Sequence, residues 1–150
     1  MSTSIDEKVT TDIIETLRDG QKGFAHAADK LGDSKRPDLV THFRDASTQR
    51  GKFAKELESM AAAYGDNIDE DGSALATAHR SYMTLIDALS GSNPDGVISA
   101  ASTGEKHTMN EYDDALEAEI SADLRAVFTR QRTEVAATAA AISALDEIHN

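Results

Sequence analysis

Apolar residues recur every three to four positions along almost the whole chain, the spacing that lines one face of an α-helix, and nowhere does the strict alternation of a strand appear. The first stripe is Ile13, Leu17, Gly20, Phe24, Ala28 and Leu31, in a helix predicted from an N-cap at Ser4, with Glu7 completing a capping box, to about Lys30. Gly32-Asp33-Ser34 ends it. A second helix opens near Pro37 and runs to Tyr64, with Leu39, Phe43, Ala46, Ser47, Ala54, Leu57 and Ala61 on its inner face. A shorter helix follows Ser73 and carries Leu75, Ala78, Tyr82, Ile86 and Leu89 before Gly91-Ser92-Asn93-Pro94 breaks it. The next stripe is Val97, Ala101, Glu105, Thr108, Tyr112 and Ala115, in a helix ending near Ile120. Ser121 caps the last helix, whose stripe is Leu124, Val127, Phe128, Gln131, Val135, Thr138, Ile142 and Leu145.

Four long helices and a shorter one make an all-α bundle in a single domain, residues 1–150. The shorter helix decides the topology. At about 17 residues it spans roughly 25 Å, enough to carry the chain from one end of the bundle to the other and leave its two flanking long helices parallel. That is the ferritin-like four-helix bundle with a short crossover helix between helices 2 and 3. Periodicity alone leaves open a plain up-and-down bundle of five antiparallel helices.

One residue breaks the apolar pattern. Arg50 falls in the middle of the second stripe, and a guanidinium there cannot shed its proton, so the bundle must supply a carboxylate. Glu105, on the inner face of a different helix, is the expected partner. Gln21, Ser47, His79, Thr108, Gln131 and Thr138 also fall on or beside the stripes, and such groups must satisfy one another or bind something. One reading is a closed polar network around an Arg50–Glu105 pair. The other is a small polar cavity holding an anion or one metal ion, with Glu105, His79 and Gln131 as ligands and Arg50 as counter-charge.

A dinuclear metal site in such a bundle needs inward carboxylates from two helices and a Glu-x-x-His from each of the other two. No glutamate in the chain is followed three residues later by histidine. At 100° per residue, Glu15 lies opposite the first stripe and Glu56 points away from the second. The expectation is therefore no cofactor, with iron, manganese or zinc on Glu105, His79 and Glu134 as the alternative. Asn67, Asp69, Asp71 and Gly72 match the opening of a calcium loop, but its twelfth position is Ala78 rather than a bidentate glutamate. His26, His42, His107 and His149 read as surface residues, and no nucleophilic triad or phosphate-binding glycine loop is present.

Net charge sharpens the choice of partners. At -12 the chain repels phosphate backbones and anionic membrane surfaces and favours cations or basic proteins, so nucleic acid and membrane are not expected partners. The absence of cysteine removes disulfides, thiolate metal sites and a cysteine nucleophile. The first twenty residues carry no apolar run or cleavage pattern, which makes a cytoplasmic location the expectation. The tract Ala136-Ala137-Thr138-Ala139-Ala140-Ala141 has side chains small enough to admit a partner helix, which leaves a protein partner or self-association open, although alanine is also simply the best helix former.

The run Ile14 to Phe24, Gln49-Arg50 with Phe53 and Glu56-Leu57, Gly72-Ser73 with His79-Arg80, and Gly104-Glu105 with Tyr112 together resemble domain of unknown function family 2383. The resemblance implies a ferritin-like four-helix-bundle protein of bacteria, cytoplasmic and linked to stress, with no activity attached. It also implies a histidine in the last helix where this chain has Ala139, a departure that weighs against a metal site.

Overall fold

A computed structural model of the protein describes residues 2–32, 36–61 and 94–149. They form four α-helices, α1 (Ser2–Lys30), α2 (Pro37–Ala61), α3 (Pro94–Glu117) and α4 (Ala122–His149), with no strand among the described residues. The expected short helix after Ser73, the acidic loop, His79 and Arg80 lie outside the described residues. No helix among those described is long and apolar enough to cross a membrane.

The helix ends follow their local chemistry. Ser121 Oγ accepts the Leu124 N–H at 3.3 Å, the N-cap bond expected for α4. Two boundaries differ from the expectation. α1 begins at Ser2, ahead of the predicted cap at Ser4, because Ser2 and Thr3 carry no helix breaker. α3 stops at Glu117 rather than near Ile120. There Arg125 donates to the carbonyls of Leu116 (2.6 Å) and Ala118 (3.1 Å), which satisfies the end of α3 from the next helix.

Two apolar clusters fix the helix directions. One joins the last turns of α1 (Phe24, Ala28, Leu31) to the first half of α2 (Leu39, Phe43), the start of α3 (Val97, Ile98, Ala101) and the end of α4 (Ile142). The other joins the first half of α1 (Ile13, Leu17) to the last half of α2 (Phe53, Leu57), the end of α3 (Tyr112, Ala115) and the start of α4 (Leu124, Phe128, Val135). Hence α1 and α2 are antiparallel, α3 and α4 are antiparallel, and α2 runs parallel to α3. The connection from Ala61 to Pro94 therefore joins opposite ends of the bundle. α1 packs most closely on α2, and α3 on α4; α1 also packs on α3 and α2 on α4, which leaves α2 and α3 facing each other across a diagonal.

Two side chains depart from the helical-wheel reading. Glu15, on the face of α1 opposite its stripe, is only 8% exposed. Glu56 does not point away: it is half-buried at the contact with α4, where Arg130 and Gln131 bond its carboxylate. His26 and His42 are half-buried rather than on the open surface, and the Nε2 of His42 finds no hydrogen-bond partner among the described residues.

Candidate functional site

The inner face of α2 places Arg50 at mid-height of the bundle, with side-chain exposure of 1%. Its guanidinium reaches across the diagonal to Glu105 of α3, equally buried. Nη1 donates to Oε1 at 2.6 Å and Nη2 to Oε2 at 2.8 Å, a bidentate fork that uses both carboxylate oxygens. The third donor, Nε, bonds Gln49 Oε1 at 3.2 Å, and the same oxygen accepts the Thr138 hydroxyl of α4 at 3.4 Å. The guanidinium carbon lies 5.1 Å from the centroid of the Phe24 ring on α1, so side chains of α1, α2 and α3 meet the cation and α4 reaches it through Gln49.

Burying these charges separately would cost several kcal/mol each, roughly, and only close pairing with further hydrogen bonds offsets that cost. The geometry meets the requirement. It also limits the chemistry: a guanidinium cannot act as an acid or base at ordinary pH, and the carboxylate it holds on both oxygens is buried away from solvent and any solute.

A second polar group lies one layer along the bundle. Tyr112 of α3, fully buried, donates its hydroxyl to Gln131 Oε1 at 2.7 Å. The Gln131 amide donates in turn to Glu56 Oε1 at 2.9 Å and to the Phe53 carbonyl at 3.4 Å. Burial raises the Tyr112 hydroxyl above its ordinary value of 10.0, with Arg50 pulling weakly the other way, so the phenol stays protonated. At the surface end, the bond from Arg130 first and that from Gln131 after it hold Glu56 below the ordinary carboxylate value, against the opposing effect of burial.

The remaining expected residues bond to groups other than the ion pair. Gln21 is half-buried and accepts a bond from Arg18 at 3.0 Å. Its backbone carbonyl accepts the Ser47 hydroxyl at 2.8 Å. Thr108 is buried and returns its hydroxyl to the Gly104 carbonyl of its own helix at 3.1 Å. Glu134 is exposed on α4 and faces Arg130 at 3.5 Å. Between α2 and α4 a groove of about 330 Å³ is lined by Asp45, Thr48, Gln49, Lys52, Phe53 and Glu134. Among the described residues, no three His, Asp or Glu side chains are grouped to hold a metal ion.

The sequence reading missed two contributors. Gln49 lies one position before Arg50 and off the stripe, so periodicity gave it no weight, yet it joins the cation to α4. Glu56 stood outside the stripe as well. A signal was available for it: Tyr112 and Gln131 both lay on inner faces, and a buried hydroxyl–amide pair needs a further acceptor for the amide.

The family model for a domain of unknown function, DUF2383, matches residues 7–118. That span runs from the first turns of α1 to just past α3, so it contains both partners of the ion pair and Tyr112, while Gln131 and Thr138 fall beyond it. No curated protein matches the sequence. The match covers well over half of the chain, and the protein belongs to the DUF2383 family.

Proposed function

We propose that this protein is a ferritin-like helical bundle of the cytoplasm whose centre holds an internal ion pair in place of a di-metal site, and that it works without catalysis, as a stress-linked factor that associates with a protein partner or a second copy. The observation that carries the reading is the Arg50–Glu105 fork. A guanidinium bonded to both oxygens of the one inward glutamate of α3 supplies the positive charge that a metal would otherwise bring. A divalent ion on Glu105 would have to displace that cation or sit beside it, and like charges a few ångströms apart in a poorly solvated core repel strongly. The ferritin-like assignment draws support from the parallel run of α2 and α3, joined by one connection between opposite ends of the bundle.

Association draws support from two surface properties. The chain carries 27 acidic against 15 basic residues, a field that favours basic partners. On α4, Ala137 and Ala140 are exposed and Ala136, Ala139 and Ala141 half-buried, so the helix presents a low surface beside the groove.

Metal analysis of the purified protein tests the reading. Iron, manganese and zinc are expected well below one ion per chain, unchanged in Glu105→Ala. A stoichiometric metal that Glu105→Ala removes would replace this reading with a metal-binding bundle built on Glu105, His79 and Glu134.

A further inference from the structure

The two apolar clusters stop short of each other at the same height on every helix. Leu17 and Phe24 on α1, Ala46 and Phe53 on α2, and Val135 and Ile142 on α4 are the facing ends of the clusters, and each pair is seven residues apart; on α3 the ends are Ala101 and Tyr112. Seven residues are two turns, about 10 Å. The gap is filled by Gly20 and Gln21, Ser47 and Arg50, Glu105 and Thr108, and Thr138: a polar layer through the whole cross-section.

We propose that this layer divides the bundle into two cooperative units that open separately, and that the half built on Phe24, Phe43, Val97 and Ile142 opens first while the half built on Leu17, Phe53, Tyr112 and Phe128 stays closed. Cooperativity spreads through continuous apolar packing, and here the described apolar packing is interrupted at one level. An opening that begins at the Leu31–Leu39 end reaches the layer without breaking the Arg50–Glu105 fork; to go further it must separate two charges held at 2.6 and 2.8 Å.

The order follows from what ties each half. The Tyr112–Gln131–Glu56 chain links α2, α3 and α4 in the second half, and ion pairs Arg18–Glu58, Arg130–Glu56 and Arg132–Asp113 lie around it. In the first half the links between helices include, among the described residues, Arg44 to Asp29 and Arg36 to the Leu145 carbonyl, both at the surface or the rim, and much of the packing is alanine: Ala27, Ala28, Ala46, Ala100 and Ala101.

Native-state hydrogen exchange on the full chain, under conditions where rates follow opening equilibria, reads this division through two mild substitutions. Ile13→Val lies in the half that opens only on complete unfolding. It should speed exchange of amides near Leu17, Leu57 and Phe128 by about two- to tenfold and leave those near Ala28, Phe43 and Ala101 unchanged. Ile142→Val weakens the closed state relative to both openings, so it should speed exchange in both halves. In the Arg50→Met/Glu105→Leu background, where apolar side chains replace the two charges at the centre of the layer, Ile13→Val should speed both halves alike. Equal acceleration of both halves by Ile13→Val in the natural sequence would overturn the proposal, as would a reversed pattern with Ile142→Val acting on one half alone.

Discussion

At the scale of single residues, Arg50 shows how much one misplaced charge can disclose. A cation in an apolar stripe of α2 had to meet a carboxylate from another helix, and Glu105 was the one glutamate on the inner face of the stripe that follows Pro94. The structure pairs them with both nitrogens and both oxygens engaged. Removing one partner leaves the other charged and dry. Arg50→Met and Glu105→Leu should therefore each lower unfolding free energy by about 3–5 kcal/mol, while the double variant, with a continuous apolar core, recovers most of the loss. Urea denaturation of the four proteins checks this, and losses that simply add would show the two side chains to be uncoupled. Residues off the stripe were not legible in the same way. A helical wheel built on one apolar face is silent about a second contact face, so Glu15 and Glu56 read as outward although the first is 8% exposed and the second bonds Gln131, and the wheel gave Gln49 no role although it bonds Arg50.

At the scale of elements, the helices were legible because each carries a stripe with a breaker or cap at its ends, and Ser121 acts as the cap the pattern required. The α3 terminus was not, because Arg125 from the following helix completes it, a tertiary contact with no local signature. Glycines inside helices are a further feature that local pattern leaves unexplained, and their surroundings divide them. At Gly51 an added Cβ would lie 2.8 Å from Gln21 Nε2, so the bare backbone of α2 is what lets the Gln21 side chain lie against it. At Gly104, in the middle of α3, no atom of the described residues outside the immediate helix lies within 4 Å of the same position. Gly104→Ala should then gain the helix-propensity difference with no steric cost, raising stability by up to about 1 kcal/mol. A shift of the urea midpoint to higher concentration with an unchanged slope is the expected result; a fall would mean that the open space beside Gly104 is used by something that alanine excludes.

At the scale of the whole molecule, a net charge of -12 and the burial of particular acids together set the pH dependence. Asp19 is half-buried on α1, and its carboxyl is pushed up from 3.8 to about 7, chiefly by burial, with Lys22 opposing and Glu15 adding to the rise. Between those two values the folded state holds a proton that the unfolded chain releases, so this group's contribution is fully present below about pH 4 and is lost as pH rises through 7. Asp38 and Glu56 act in the opposite sense. Arg36 lowers the first below 3.8 and Arg130 the second below 4.5, so what they contribute is present above those values and disappears as acid protonates them. Stability should consequently peak on the acid side of neutrality rather than at pH 7 or above. Self-repulsion among the 27 acidic residues pushes the same way, which makes the natural protein alone a poor test. Asp19→Asn isolates the local term, because it leaves the other 26 acids and the five histidines in place while removing the carboxyl that burial pushes up to about 7. Urea midpoints measured from pH 4.5 to 8 should fall more steeply with rising pH in the natural protein than in Asp19→Asn, with the two curves separating most between about pH 5 and 7. Parallel curves would mean that Asp19 titrates alike in the folded and unfolded chains, and the acid-side maximum would then belong to the overall charge alone.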